Sequence, residues 1–393
     1  MKKNYCYCLI LILLGTSCQV KVVNSFTTKA ERTRFVNEKT LFIDSVFANS
    51  PAATNEKKYQ GAFWASELML LKNDKAVVNL KYALGQYSSF SDNFKRVLLQ
   101  QIYTLYPTEF VSEIERLIKL ESNEKHFAMM ANYLIRQNDV TSERYKKLMH
   151  NQFPDWQDNP LLTAFSIEHS KQMTLTQKQI NELIAFRSEA KEPTLFVFVH
   201  KNRDIPGEAI IQNKQGKLLI ENGDTLRFCL LARSITNMAE YLTNGNTPQG
   251  VFSVQGFGSS DNVFIGKSPM IITALPYEIT LSGFSFGKIK NEWSLEQYNQ
   301  FFPESWKSYL PKNMAFYAGK AGRSEIIIHG TTIDTEFYKT QSYYPFTPSL
   351  GCLCALERWN EADGSLIESE QLRLVNTLKS NGIEDMLMYV IEK

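Results

Sequence analysis

The hydrophobic period of this chain changes once, near Pro193, and that change limits what it can fold into. Before it, apolar residues recur three and four apart, as on one face of a helix. Phe94, Val97, Leu98, Ile102 and Leu105 mark one such face, and Phe110, Ile114, Leu117 and Ile118 another after a break at Pro107. Phe127, Met130, Tyr133 and Leu134 repeat the spacing, as do Ile180, Leu183 and Ile184. Asn159-Pro160 reads as an N-cap followed by a first-turn proline. After Pro193 the pattern is strand-like. "TLFVFVH" (194–200) and the run "EAIIQNKQGKLLIENGDTLRFCLLARS" read as strands broken by turns at Lys214–Gly216 and Asn222–Gly223. Ser294 predicts the cap of a helix carrying Leu295, Tyr298, Phe301 and Phe302. Leu372, Val375 and Leu378 predict a helix ended by Gly382, and "MLMYVIE" a last strand.

A chain of 393 residues exceeds one ordinary core, so two units are expected. The expected fold class is α+β multidomain: an all-α helical domain over 31–190, then a mostly β domain over 194–393 with inserted helices. With 43 basic and 41 acidic residues the net charge is +2, and no basic cluster stands out. That balance argues against nucleic acid as the main partner, because phosphate binding needs a concentrated positive surface.

The N-terminus reads as an export signal. Lys2 and Lys3 precede an apolar run from Leu9 to Leu14, followed by Gly15, Thr16, Ser17 and Cys18. The run is shorter than the about 20 apolar residues a membrane span needs. It resembles a bacterial lipoprotein signal, which implies removal of 1–17, lipidation of Cys18, a tether over 18–30 and anchorage on the periplasmic side of the cell envelope. Cleavage there removes Cys6 and Cys8 and leaves Cys229, Cys352 and Cys354 as thiols. An odd number of thiols in an oxidising compartment flags at least one unpaired cysteine. The run "DTLRFCLLA" is apolar on both faces, which predicts Cys229 as a small buried hydrophobe.

Five histidines are present. His126, His150 and His169 fall in the helical half, where a solvated surface position is the default, and His200 reads as a polar cap at a strand end. The helical half holds no catalytic constellation and reads as a scaffold or as a surface for a protein partner. His329 differs: it follows Ile326, Ile327 and Ile328 and precedes Gly330. A short buried strand can hold an imidazole rigidly at a rim. Cys352 follows Gly351, 23 residues later. A free thiol is mostly protonated at neutral pH, and a nearby imidazole can take its proton. A Cys352–Cys354 disulfide would close a very tight loop. Zinc on His329, Cys352 and Cys354 would lack the fourth ligand of a closed structural site. Nucleophilic chemistry by a thiol and an imidazole needs no metal and no organic cofactor, and none is expected. Core packing of both thiols is the remaining alternative. Spacing alone does not choose between the two cysteines, because positions i and i+2 of a strand share a face.

"TPQGVF" (247–252), "IIIHG" (326–330) and "SLGC" (349–352) occur in that order. Together with "NMAFYAGKAGRSEIIIHG" they resemble the YkuD-type L,D-transpeptidase family over roughly 194–393. The resemblance implies an L,D-transpeptidase-like catalytic domain with Cys352 as nucleophile and His329 as its base. It implies that the Gly330 carbonyl orients the imidazole and that the N–H groups of Gly351 and Cys352 bind an oxyanion. Ser349 would shape that turn, and Thr247, Pro248 and Gly250 would form a structural turn beside it. The position two after the cysteine, usually Arg or Asn, is Cys354, so binding of a substrate carboxylate falls to Arg358 or Arg323. The longer interval between His329 and Cys352 carries Tyr338, Tyr343, Tyr344 and Phe346, with Tyr344 a candidate for substrate contact. The implied substrate is a peptidoglycan stem tetrapeptide, acylated onto Cys352 and passed to an amine or water. The alternatives are a weakly active or inactive peptidoglycan-binding envelope protein, and a Cys–His peptidase acting on protein.

Overall fold

The computed structural model describes residues 22–137, 142–170 and 174–393. The export signal, Cys18 and the start of the tether lie outside the described residues. From Val22 on, the stretch read as a tether is part of the fold. Val23 bridges Ser365, and the Asn24 N–H donates to Gly364 O at 2.8 Å.

Helices α1 (Lys29–Phe47), α2 (Glu56–Leu68), α3 (Asp74–Gly85), α4 (Asp92–Leu105) and α5 (Val111–Leu117) begin the N-terminal half. Helices α6 (Glu124–Ile135), α7 (Ser142–Gln152), α8 (Pro160–Glu168) and α9 (Gln177–Ala190) complete it. Their starts are written locally. Asn73, Ser91, Asn123 and Asn159 each accept a hydrogen bond from the first-turn backbone with their side chains. Thr176 and Gln179 form a capping box on α9. His126 is not at the surface: it is 2% exposed, with Nε2 3.1 Å from Asp92 O, because α6 is the central helix and is buried along most of its length.

The barrel strands are β1 (Thr194–Val199), β2 (Gly207–Gln212), β5 (Arg227–Leu231), β6 (Gly250–Gly258), β7 (Met270–Ala274), β8 (Ile328–His329), β9 (Leu353–Ala355) and β12 (Asp385–Glu392). Two small pairs stand apart: β3 (Ile220–Glu221) with β4 (Asp224–Thr225), and β10 (Glu357–Trp359) with β11 (Leu366–Ser369). The barrel order is β1-β12-β6-β7-β8-β9-β5-β2, closed back onto β1. β1 runs parallel to β12 and β8 parallel to β9, and the other neighbours are antiparallel. Helices α10 (Leu281–Phe284), α11 (Leu295–Asn299), α12 (Met314–Lys320) and α13 (Glu370–Ser380) pack around it.

This corrects the expected fold. The C-terminal half is not the mostly β, L,D-transpeptidase-like domain that the sequence pattern implies. The finding is a closed, mixed, eight-stranded barrel in a multidomain α+β molecule with 44% helix and 17% strand. Closure requires every strand to be paired on both edges in compatible register, and alternation of apolar residues encodes neither. Several strands are also shorter than their apolar runs: the run "EIIIHG" supplies only Ile328 and His329.

The barrel interior holds Leu195, Val197, Phe252, Ile271, Ile328, Leu353 and Met388, with Leu374 and Leu378 of α13 in the same cluster. β1 and β12 are also covered outside, where Phe196, Phe198, Leu387 and Tyr389 meet Leu183 of α9, Phe284 and Trp306. Burial on both faces explains why these two strands read as continuous apolar runs. The two halves share a core: Met238, Tyr241, Leu242 and Met314 pack into the helical cluster.

Candidate active site

Barrel alternation sorts the chemistry. Ile328 and Leu353 point inward, so their neighbours His329, Cys352 and Cys354 lie on the outer face of β8 and β9. The register pairs His329 with Cys354 across these parallel strands, and Cys354 with Leu231 on the far side. His329 Nε2 is therefore 3.8 Å from the sulfur of Cys354. The Cys352 sulfur sits one rung back, accepting the Ile327 N–H at 3.5 Å and facing Glu325 O at 3.5 Å. The expected His329–Cys352 hydrogen bond is thus replaced by one to Cys354. Spacing alone left open which cysteine faces the imidazole and the family resemblance chose Cys352, whereas strand register sets Cys354 opposite it.

The two thiols differ in access. Cys352 is half-buried, whereas Cys354 is 1% exposed and packs with Leu231, Ile235, Tyr338 and Tyr343. Burial pushes the Cys352 thiol above its ordinary value; the Ile327 N–H, the Arg323 charge and Ser349 pull it back in part. Burial pushes Cys354 up further, and its proximity to Cys352 adds to this. Burial lowers His329, against a smaller opposing effect of its Gly330 hydrogen bond. At neutral pH the resting site is a neutral imidazole beside neutral thiols, not the thiolate–imidazolium pair that a lone dyad suggests.

His329 Nδ1 donates to Gly330 O, which leaves Nε2 as the basic nitrogen. Gly330 has a second reason to lack a side chain: a Cβ there would run into the carboxyl of Glu357. That carboxyl is buried, accepts the Ser369 hydroxyl at 2.7 Å and is pushed up to about 7 by burial.

The turn before Cys352 is tightly tied. Ser349 Oγ accepts the Gly351 N–H at 3.0 Å and donates to Cys352 O at 3.0 Å. The Gly351 N–H is therefore spent and not free for an oxyanion. No acceptor for the Cys352 N–H is found among the described residues. Gly351 has φ +121°, and a Cβ there would collide with Arg323 Nη2 and come within 2.6 Å of Gly245 O. Thr247 Oγ1 donates to Gly351 O at 2.9 Å, so the "TPQG" element is fixed directly to this turn.

Arg323 has a different role from the expected one. It is 8% exposed, and its guanidinium donates to the carbonyls of Glu240, Gly245 (2.5 Å) and Asn246 (2.7 Å). Three of its five N–H groups are spent on backbone carbonyls, which turns the fork away from a bidentate grip on a substrate carboxylate. It braces the 240–246 loop against the Cys352 turn and places positive charge near the sulfur, with burial lowering its own value to about 10. Arg358 is also not part of the cluster: it lies on β10 and pairs in solvent with Glu368 at 3.3 Å. Tyr344 is 42% exposed on the loop between His329 and Cys352. The buried tyrosines of that loop are Tyr338, which donates to Leu68 O of α2 at 2.8 Å, and Tyr343, which lies under Arg233. The loop thus covers Cys354 and joins the barrel to the helical half.

Sequence reasoning missed Arg323 as a brace, the Ile327 N–H and the 240–246 loop. The "NGNTPQG" turn signal at 244–250 marks that loop, but nothing local marks its partner 77 residues away. Cys229 is exposed, not buried: β5 is covered on one face only, and the Cys229 N–H reaches the Glu370 carboxylate at 3.1 Å. Among the described residues no group of three or more His, Cys, Asp or Glu side chains is placed to hold a metal ion. No helix among the described residues is long and apolar enough to cross a membrane. No family model, no curated protein and no solved structure matches this chain.

Proposed function

We propose that the protein is a cysteine acyltransferase of the cell envelope, with Cys352 as nucleophile and a peptidoglycan stem tetrapeptide as acyl donor. The observation that carries this reading is the placement of one reachable sulfur, Cys352, on the same outer barrel face as a neutral His329 whose Nε2 is free of backbone. The ordered elements "TPQGVF", "IIIHG" and "SLGC", similar to those of L,D-transpeptidases, supply the substrate class.

In the acylation step the Cys352 sulfur attacks the carbonyl of the L-centred third residue. A carbon–sulfur bond forms as the thiol proton passes to His329 Nε2. The Cys352 N–H supports the oxyanion. The tetrahedral adduct then breaks its bond to the terminal D-alanine, whose nitrogen leaves with the proton from His329. An acceptor amine, or water, attacks the thioester and restores the thiol. His329 has to turn from Cys354 to Cys352 for the first transfer, one rung along the strand, which is about 6.6 Å. No metal or organic cofactor takes part in these steps.

The test is intact-protein mass spectrometry with a stem tetrapeptide, followed by peptide mapping of the adduct. The expected adduct maps to Cys352, survives Cys354→Ala and disappears in Cys352→Ala. An adduct on Cys354, or one that persists in Cys352→Ala, overturns the assignment.

A second reading draws on the same geometry. An imidazole engaged with a buried thiol, beside a nucleophile held above its ordinary value, suits a protein that binds stem peptides without acylating them. Saturable binding of the tetrapeptide with no mass adduct and no released D-alanine would select it.

A further inference from the structure

A cavity of about 410 Å³ opens between α8, the 237–246 loop, the start of β6 and the end of β12. Neither Cys352, Cys354 nor His329 lines it. Its walls are a polar network drawn from both halves of the molecule. Arg203 is 4% exposed; its Nη2 donates to the Glu240 carboxylate and lies 3.7 Å from that of Glu392. Arg203 Nη1 is buried and has no hydrogen-bond partner. Gln249 donates its N–H to Glu240 Oε2 at 2.8 Å and its amide to Glu392 Oε2 at 3.5 Å, and accepts the Tyr309 hydroxyl at 2.7 Å. Glu168 of α8 faces the same space.

A buried guanidinium N–H without an acceptor is costly, and one such group in an otherwise closed network marks where an acceptor belongs. The volume suits a small polar molecule. The walls carry Lys201 and Lys393 as well as Arg203, but a simple anion answering Nη1 would still meet the carboxyls of Glu168, Glu240 and Glu392. A simple cation answering those carboxyls would leave Nη1 unmet. A molecule carrying both charges answers both.

We propose that this cavity binds a small zwitterion of the amino-acid class, its carboxylate on Arg203 Nη1 and its ammonium against Glu168. One oxygen of the Glu168 carboxylate lies 3.3 Å from His169 Nε2, so the ammonium would share this carboxylate with the imidazole. The inference stands independently of acyl transfer at Cys352. The cavity nevertheless shares the Glu240 segment with the thiol turn, since the Glu240 carbonyl accepts Arg323.

The test is calorimetric titration of the full chain with glycine, L-alanine and D-alanine, alongside propionate and ethylammonium as half-ligands. At least one amino acid should bind, with each half-ligand at least ten-fold weaker. Arg203→Lys and Glu168→Gln should each lower the affinity ten-fold or more, and Cys352→Ala should leave it unchanged. Should Arg203→Lys not fold, Glu168→Gln decides, since it keeps the size and hydrogen bonding of that side chain. Absence of binding by all three amino acids at millimolar concentration overturns the proposal. So does propionate binding as tightly as alanine, or an affinity that Glu168→Gln leaves intact.

Discussion

His329 and Cys354 face each other across two parallel strands, with Nε2 3.8 Å from the sulfur, while Cys352 lies one rung away against the Ile327 N–H. The buried thiol thus occupies the imidazole at rest, and the reachable thiol waits beside it. The chemical consequences separate the two cysteines.

Alkylation should discriminate them first. Burial holds both thiols protonated, Cys354 more strongly than Cys352. Iodoacetamide should therefore label Cys352 well before Cys354. The Cys352 rate should rise with pH to a midpoint above the about 8.5 of a free thiol. Cys229, exposed on β5, is labelled as well and is removed by Cys229→Ser in the reference protein. Labelling of Cys354 ahead of Cys352 in peptide maps would contradict the buried placement.

His329→Ala should barely move that midpoint, because a neutral imidazole contributes no charge to the thiol. It should slow acylation by stem tetrapeptide roughly 10²–10⁴-fold, the range for loss of a general base. Single-turnover release of D-alanine measures it, and an unchanged rate would remove His329 from the chemistry.

Arg323→Gln should act on both stability and reactivity. It leaves the carbonyls of Glu240, Gly245 and Asn246 short of a charged donor, at a cost of about 3 kcal/mol. Removing a positive charge disfavours the thiolate, so the alkylation midpoint of Cys352 should rise. Urea unfolding and the alkylation profile read the two effects separately.

Gly351→Ala should lower stability by at least about 1–3 kcal/mol, since φ of +121° is strained for any residue with a Cβ. The same Cβ displaces Arg323 and disturbs the turn, so acylation should fall with stability. A variant as stable as the parent would show that the turn can relax.

Stability should fall as pH rises from about 4.5 to about 8, in part through Glu67 on α2. Its carboxyl is buried, accepts the Gln100 amide at 2.6 Å and is pushed up to about 8 by burial. In that interval the folded state binds more protons than the unfolded state, so unfolding free energy declines, by at most about 1.4 kcal/mol per pH unit for one group. Glu67→Gln should flatten the curve. Chemical denaturation at pH 5, 6.5 and 8 is the measurement.

Part of this architecture is written locally. The cap at Asn159 starts a helix where the sequence places it, and those at Ser91, Asn123 and Thr176 are equally local in origin, because a cap needs only a side chain and the next turn of backbone. The break at Pro193 and the last strand are legible for a similar reason, since period follows from burial of one element against any core. His329, Gly330, Ser349, Gly351 and Cys352 could likewise be singled out from short motifs.

What the tertiary structure decided is everything that depends on pairing between distant segments. Barrel closure joins β1 to β12 and β2, and no alternation pattern specifies that. The parallel register of β8 on β9 sets His329 opposite Cys354, and a shift of two residues would have set it opposite Cys352 with the same faces buried. Arg323, chosen from sequence for a substrate, is consumed by a loop some 80 residues before it, because buried carbonyls there lack other donors. Residue types are fixed along the chain, but which groups meet is fixed by register and long-range burial, and the chemistry proposed for Cys352 depends on the second.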